Sequence, residues 1–199
     1  MKFKILVFTL FFSFASFGQK FKLIEGDVKN LKGITSYNLL FDYQNLMVDK
    51  FDTEEEFLEE KMKKRDEKGT AEEFKASWFS DREARYEPKF IESFNKRFED
   101  NEIVVSKNNT TSKYTILVKT KWINPGYNVG VMRQPSKINA DITVFETANP
   151  ENILYKASID KVLGNGAAGF DYNSGYRISE SYALLAKKFA NDVVKKANK

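Results

Sequence analysis

The sequence contains no histidine and no cysteine. Their absence removes Ser-His-Asp and Cys-His catalysis, zinc sites built on those ligands, and haem or iron–sulfur ligation by them. It also means no disulfide and no lipidated cysteine, although an exported chain could have used either. Carboxylates, Lys, Tyr, Ser and oxygen-ligated metals are what remain for chemistry. Proline is scarce, at four residues, and no internal repeat or low-complexity linker divides the chain. A dominant charge of one sign is missing too. The formal net charge is +4, and loss of Lys2 and Lys4 with the N-terminal segment would leave it near +2. That balance argues against a nucleic-acid partner. Beyond the first residues no apolar run approaches membrane-spanning length, so no transmembrane segment is expected in the mature chain.

The N-terminus reads as a secretory signal peptide over residues 1–18. Lys2 and Lys4 form a positive start, residues 5–12 an apolar run too short for a stable anchor, and Ser16 and Gly18 a small-residue exit before Gln19. The expected location is therefore periplasmic or secreted. Residues 19–199 suit a single α/β domain with a helical insert over 53–100. Without disulfides its stability must come from packing, and 18 Phe residues provide apolar area for it.

Three consecutive strands are the centre of the pattern, over 114–123, 137–146 and 153–163. In the first, Tyr114, Ile116, Val118, Thr120 and Trp122 share one face. Ile138, Ala140, Ile142 and Val144 do so in the second, and Ile153, Tyr155, Ala157 and Ile159 in the third. Such period-2 alternation suits an antiparallel sheet covered on one side. The link 147–152 is a short turn, and 124–136, with Pro125-Gly126 and Pro135, is a loop. Residues 36–43 alternate and read as the first main strand, with an extension to Val48 left open; 103–106 is another strand. Residues 21–32 are a strand or a lead-in. The expected fold is α+β: a mainly antiparallel, mixed sheet of about five strands, helices packed on one face, and a helical insert after the first main strand.

Thr53 and Glu56 form a capping-box pattern opening a charged helix to about Asp66, with a thin apolar stripe of Phe57, Leu58 and Met62. Thr70 and Glu73 repeat the pattern, followed by the pair Phe74 and Trp78. Pro88 suits the first turn of a new helix, whose buried stripe is Phe90, Ile91, Phe94 and Phe98. A final helix over 178–197 carries Ile178, Tyr182, Leu185, Phe189 and Val193 in one stripe, which should cover the sheet.

Two aromatic-rich loops stand out as candidate binding surfaces, because aromatics mixed with Gly, Asn and Asp make adaptable recognition sites. Their candidate residues are Trp122, Tyr127, Arg133, Phe170, Tyr172 and Tyr176. No catalytic or metal-binding residues and no cofactor are assigned. Gly164, Gly166 and Gly169 match a dinucleotide fingerprint but lack the helix and parallel strand that motif requires. Asp141, Glu146, Asp160 and Asp171 could serve acid–base chemistry, but their spacing does not fix a catalytic separation.

The order of elements over 114–199 is strand, Pro-Gly loop, strand, hairpin, strand, Gly-rich loop and final amphipathic helix. The residues that carry it are Pro125-Gly126-Tyr127-Asn128-Val129-Gly130, the glycines at 164–169 and the stripe over 178–194. It resembles the small periplasmic α/β domains of curli-secretion-type lipoproteins and the N-terminal domain of TolB. The chain departs from the lipoproteins in lacking the lipidated cysteine. The resemblance implies an assembly or binding role without catalysis. The leading expectation is an exported, non-enzymatic envelope module that binds another protein or a cell-surface component. One alternative is a carrier of a small apolar or lipid-like ligand, lined by Phe74, Trp78, Phe90, Phe94 and Phe98. Another is a carboxylate-based hydrolase.

Overall fold

The computed structural model describes residues 19–99, 102–165 and 173–199. The signal-peptide segment therefore lies outside the described residues, as do Phe170, Asp171 and Tyr172. The fold is α+β. Its strands are β1 (Lys22–Gly26), β2 (Ser36–Asp42), β3 (Met47–Val48), β4 (Val104–Lys107), β5 (Tyr114–Asn124), β6 (Tyr127–Asn128), β7 (Arg133–Gln134), β8 (Ser136–Glu146) and β9 (Asn149–Gly164). Its main helices are α1 (Glu54–Asp66), α2 (Ala71–Asp81), α3 (Glu87–Asn95) and α4 (Ser174–Phe189).

Seven strands form the main sheet, in the order β1-β9-β8-β5-β2-β4, with β3 added beside β5. The two beyond the expected five are β1 and the short β3. β5, β8, β9 and β1 pair antiparallel. β2 runs parallel to both β4 and β5, and β3 parallel to β5. The parallel pairs follow from the insert, since a chain leaving β2 needs a long crossover to return as a parallel neighbour. That crossover is α1, α2 and α3.

The helix-facing side of the sheet is the core. Tyr37, Leu39, Ile116, Val118, Ile138, Ala140, Ile142, Val144, Ala157 and Ile159 are all fully buried there. The final helix covers it, beginning four residues earlier than the apolar stripe suggested. Asn173 caps it by accepting from the backbone N–H of Tyr176 at 3.2 Å. Ile178, Tyr182, Leu185, Phe189 and Val193 are buried as expected. Phe189 meets Phe21, Phe94 and Tyr155 at ring-centroid distances of 6.0, 6.1 and 6.2 Å. Tyr182 stacks on Tyr86 at 5.2 Å and shares a 2.6 Å hydrogen bond with Thr120 Oγ1.

Three sequence expectations need correction. Trp122 does not share the face of Ile116 and Val118. A β-bulge between Thr120 and Trp122 shifts the alternation, so Ile123 is buried instead, as expected where one extra residue enters a strand. Pro88 stands in the first turn of α3, as expected, although the backbone is already helical before it. A π-helical turn at Arg82–Tyr86 carries the chain helically from α2 into α3. Thr70 stands at the start of α2 but makes no side-chain cap bond, whereas Thr53 Oγ1 does accept from Glu56 N at 3.2 Å. The loop at 124–136 contains a small hairpin, β6–β7, in which Tyr127 faces Gln134 and Asn128 faces Arg133.

Candidate functional site

The β6–β7 hairpin is built by local turn chemistry. Asn124 Oδ1 accepts from Gly126 N at 3.0 Å, and Asn128 Oδ1 accepts from Gly130 N at 2.9 Å. Such Asx turns stabilise tight reversals without a long strand. Gly126 has φ +62°, and a Cβ there would collide with the carbonyl of Gln134, so the stem closes only around glycine. The side chain of Arg177, buried in the first turns of α4, donates to the carbonyls of Pro125 at 3.0 Å and Gly126 at 3.1 Å. The hairpin base is thus tied to the last helix.

Its tip is apolar and open to solvent. Val131 is 94% exposed, Val129 62%, Met132 60% and Tyr127 43%. The other strongly exposed apolar side chains are distributed elsewhere: Leu23 and Ile24 on the edge strand β1, and Leu40, Met47 and Phe79 separately. Single exposed apolar residues are ordinary on protein surfaces, but a contiguous group on a projecting turn is not.

Beside the stem lies a cleft of about 400 Å³, walled by the α1–α2 pair, the β5–β6 turn, the hairpin stem and the start of α4. Phe57, Phe74 and Trp78 line one wall and pack on each other, with Phe57 and Trp78 centroids 4.8 Å apart. Behind that wall, the buried carboxylate of Glu54 accepts from Trp78 Nε1 at 2.6 Å and pairs with Arg82 at 2.5 Å. The neighbouring Asp81 packs against Gly175 in the first turn of α4 and pairs with Arg85 at 2.6 Å. Burial pushes the Asp81 carboxyl up from its usual range, against the pull of Arg85.

Of the residues singled out from the sequence, Tyr127 lines this cleft and Arg133 lies across the same hairpin on β7. Trp122 is half-buried near the end of β5, donating from Nε1 to the carbonyl of Asp49 at 2.8 Å. Tyr176 is half-buried in the first turn of α4 and is not among the residues lining the cleft. Phe74 and Trp78 do line it, but Phe90, Phe94 and Phe98 are closed into the core. Sequence reasoning missed the cationic side of the cleft, Lys61 and Arg65. Their positions near the end of a charged helix look like dipole complementation, and only the turn back into α2 brings them over the aromatic wall.

The acidic candidates are spread along the sheet. Asp141 pairs with Lys121 at 2.6 Å, Asp160 with Lys22 at 3.4 Å and Glu146 with Lys113 at 3.7 Å. β9 is antiparallel to both its neighbours, not the parallel strand that a dinucleotide fingerprint requires, and Gly166 and Gly169 lie outside the described residues. Among the described residues no group of three or more acidic side chains could hold a metal ion, and no helix is long and apolar enough to cross a membrane. No protein-family model matches this chain, and no curated protein does either.

Proposed function

We propose that this protein is an exported, non-catalytic binding module of the bacterial envelope. Its partner is another envelope protein or a cell-surface component, engaged by the tip of the β6–β7 hairpin. The carrying observation is the solvent exposure of Val129, Val131 and Met132 on one tight turn. Fully burying an aliphatic side chain contributes about 1.5–3 kcal/mol, so the tip offers a compact apolar anchor. The small stem, tied to α4 through Arg177, presents that anchor without a large ordering cost. The signal-like N-terminus, the missing catalytic residue types and the resemblance to periplasmic assembly domains support the same reading.

Affinity capture from envelope extract tests it, comparing the wild type with V131D/M132D. The reading predicts a discrete partner that the wild type retains and the double variant loses, with both proteins equally folded by circular dichroism. Recovery of the same partners by both would remove the tip from the interface. N-terminal sequencing of the protein recovered from the envelope should begin at Gln19.

A second reading, a carrier of a small apolar or lipid-like ligand, is favoured by the wall of Phe57, Phe74 and Trp78 in the cleft. Native mass spectrometry of protein from its own host should then show a bound apolar molecule, and a ligand-free mass would argue against it.

A further inference from the structure

The cleft beside the hairpin stem is more specific than an apolar hole. We infer that it binds an organic anion, a carboxylate or phosphate group carried on a small aromatic or apolar body. This is independent of what the hairpin tip engages.

The charges around the cleft favour an anion. Lys61 and Arg65 line the cleft, where the one carboxylate among the described lining residues is Asp49. Asp49 is already engaged, accepting from Asn124 Nδ2 at 2.7 Å. Arg65 pairs with no carboxylate among the described residues. Its guanidinium lies 4.1 Å from the centroid of the Phe74 ring and donates to the carbonyl of Lys61 at 2.9 Å. Stacking of this kind fixes the plane of the guanidinium and leaves its remaining N–H groups to be directed at an acceptor. Lys61 sits 5.5 Å from the Phe57 ring. Its nearest acid, Glu60 at 3.9 Å, is shared with Lys64 at 2.5 Å and Lys50 at 4.0 Å. One carboxylate facing three ammonium groups leaves the local field positive. The first turn of α4, where Ser174 lines the cleft, adds partial positive charge of the same sign.

Shape and surface favour an organic body on that anion. A planar, bidentate donor matches carboxylate and phosphate oxygens, while Phe57, Phe74 and Trp78 offer aromatic surface for an apolar body. The volume of about 400 Å³ lies at the small end of ligand-site volumes, which run from about 300 to 1,000 Å³. A cationic ligand would meet repulsion, and a bare inorganic ion would leave the aromatic wall unused.

Calorimetric titration of the protein with phenyl phosphate, phenylacetate, inorganic phosphate and benzyl alcohol tests this. At least one aromatic anion should bind saturably, more weakly as salt is raised, and more tightly than inorganic phosphate or benzyl alcohol. The preference between phenyl phosphate and phenylacetate identifies the anionic group. R65Q should weaken that binding by at least about tenfold, the scale of one lost charged hydrogen bond. If R65Q does not fold, K61Q should weaken binding in the same direction. The inference is overturned if neither aromatic anion binds, if benzyl alcohol or inorganic phosphate binds as tightly, or if the folded variant retains wild-type affinity.

Discussion

Phe189 is the residue on which the helix–sheet interface converges. It is fully buried and touches rings from the N-terminal segment, α3 and β9. Truncating a buried Phe typically costs about 3–5 kcal/mol, a large part of a domain's total of about 5–15 kcal/mol. F189A should therefore lower the urea midpoint and the melting temperature strongly. K187A, on the exposed face of the same helix, should leave both nearly unchanged. Lys188 is a poorer control because it pairs with Asp192 at 3.2 Å. If F189A unfolds like the wild type, the helix is not docked as described. Asp42 gives a pH-dependent counterpart. Partial burial pushes its carboxyl up, but the Gln44 N–H and Lys119 outweigh that and hold it below the usual range. A depressed folded pKa contributes stability above the unfolded value, near 3.9, which is lost as pH falls through the folded one. The stability advantage of wild type over D42N should thus shrink on acidification below about pH 4. A difference independent of pH between about 5 and 2 would contradict that assignment.

At the scale of elements, the α1–α2 pair depends on Glu54. Its carboxylate joins α1 to Trp78 of α2 and to Arg82 in the π-helical turn. Removing one partner of a buried pair typically costs about 3–5 kcal/mol, because the other charge is left uncompensated. E54A should lower stability by that order in chemical denaturation, and it should also loosen the wall of the cleft. An effect below about 0.5 kcal/mol, the range of neutral surface changes, would show that the pair is solvated in solution. Much of this scale was legible in the sequence. Alternation located β2, β5, β8 and β9, and the stripe through Tyr182 and Phe189 located the covering helix. Where it failed, the cause was an interaction that leaves no period. The bulge before Trp122 moves that ring off the helix-facing side, and two-residue strands such as β6 and β7 cannot alternate. The Thr70 pattern matched a capping box whose hydroxyl bond is not made. The cleft needed the fold itself, because Phe57, Arg65, Trp78 and Tyr127 come from elements that only tertiary packing brings together. Tyr127, Phe74 and Trp78 were visible as binding candidates, but not as neighbours in one site.

For the whole molecule, a disulfide-free core built around aromatic side chains has a signature at high pH. Burial raises the phenol pKa of Tyr37, Tyr43, Tyr86, Tyr155 and Tyr182, with Tyr155 reaching about 12. Their folded values exceed the unfolded value near 10, so their contribution to stability is intact below that pH. It is lost as pH rises from there toward the folded values. Phenolate absorbance from these residues should appear together with loss of the folded circular dichroism signal. Early titration of all nine tyrosines in a protein still folded would contradict the burial.

The hairpin tip is proposed to meet a partner in the envelope. Site-specific photo-crosslinking from position 131 in the native host tests it most directly, with the exposed position 151 on β9 as the control. A discrete crosslinked species is expected from position 131 and not from position 151. No crosslink from 131, or the same species from both positions, would contradict it.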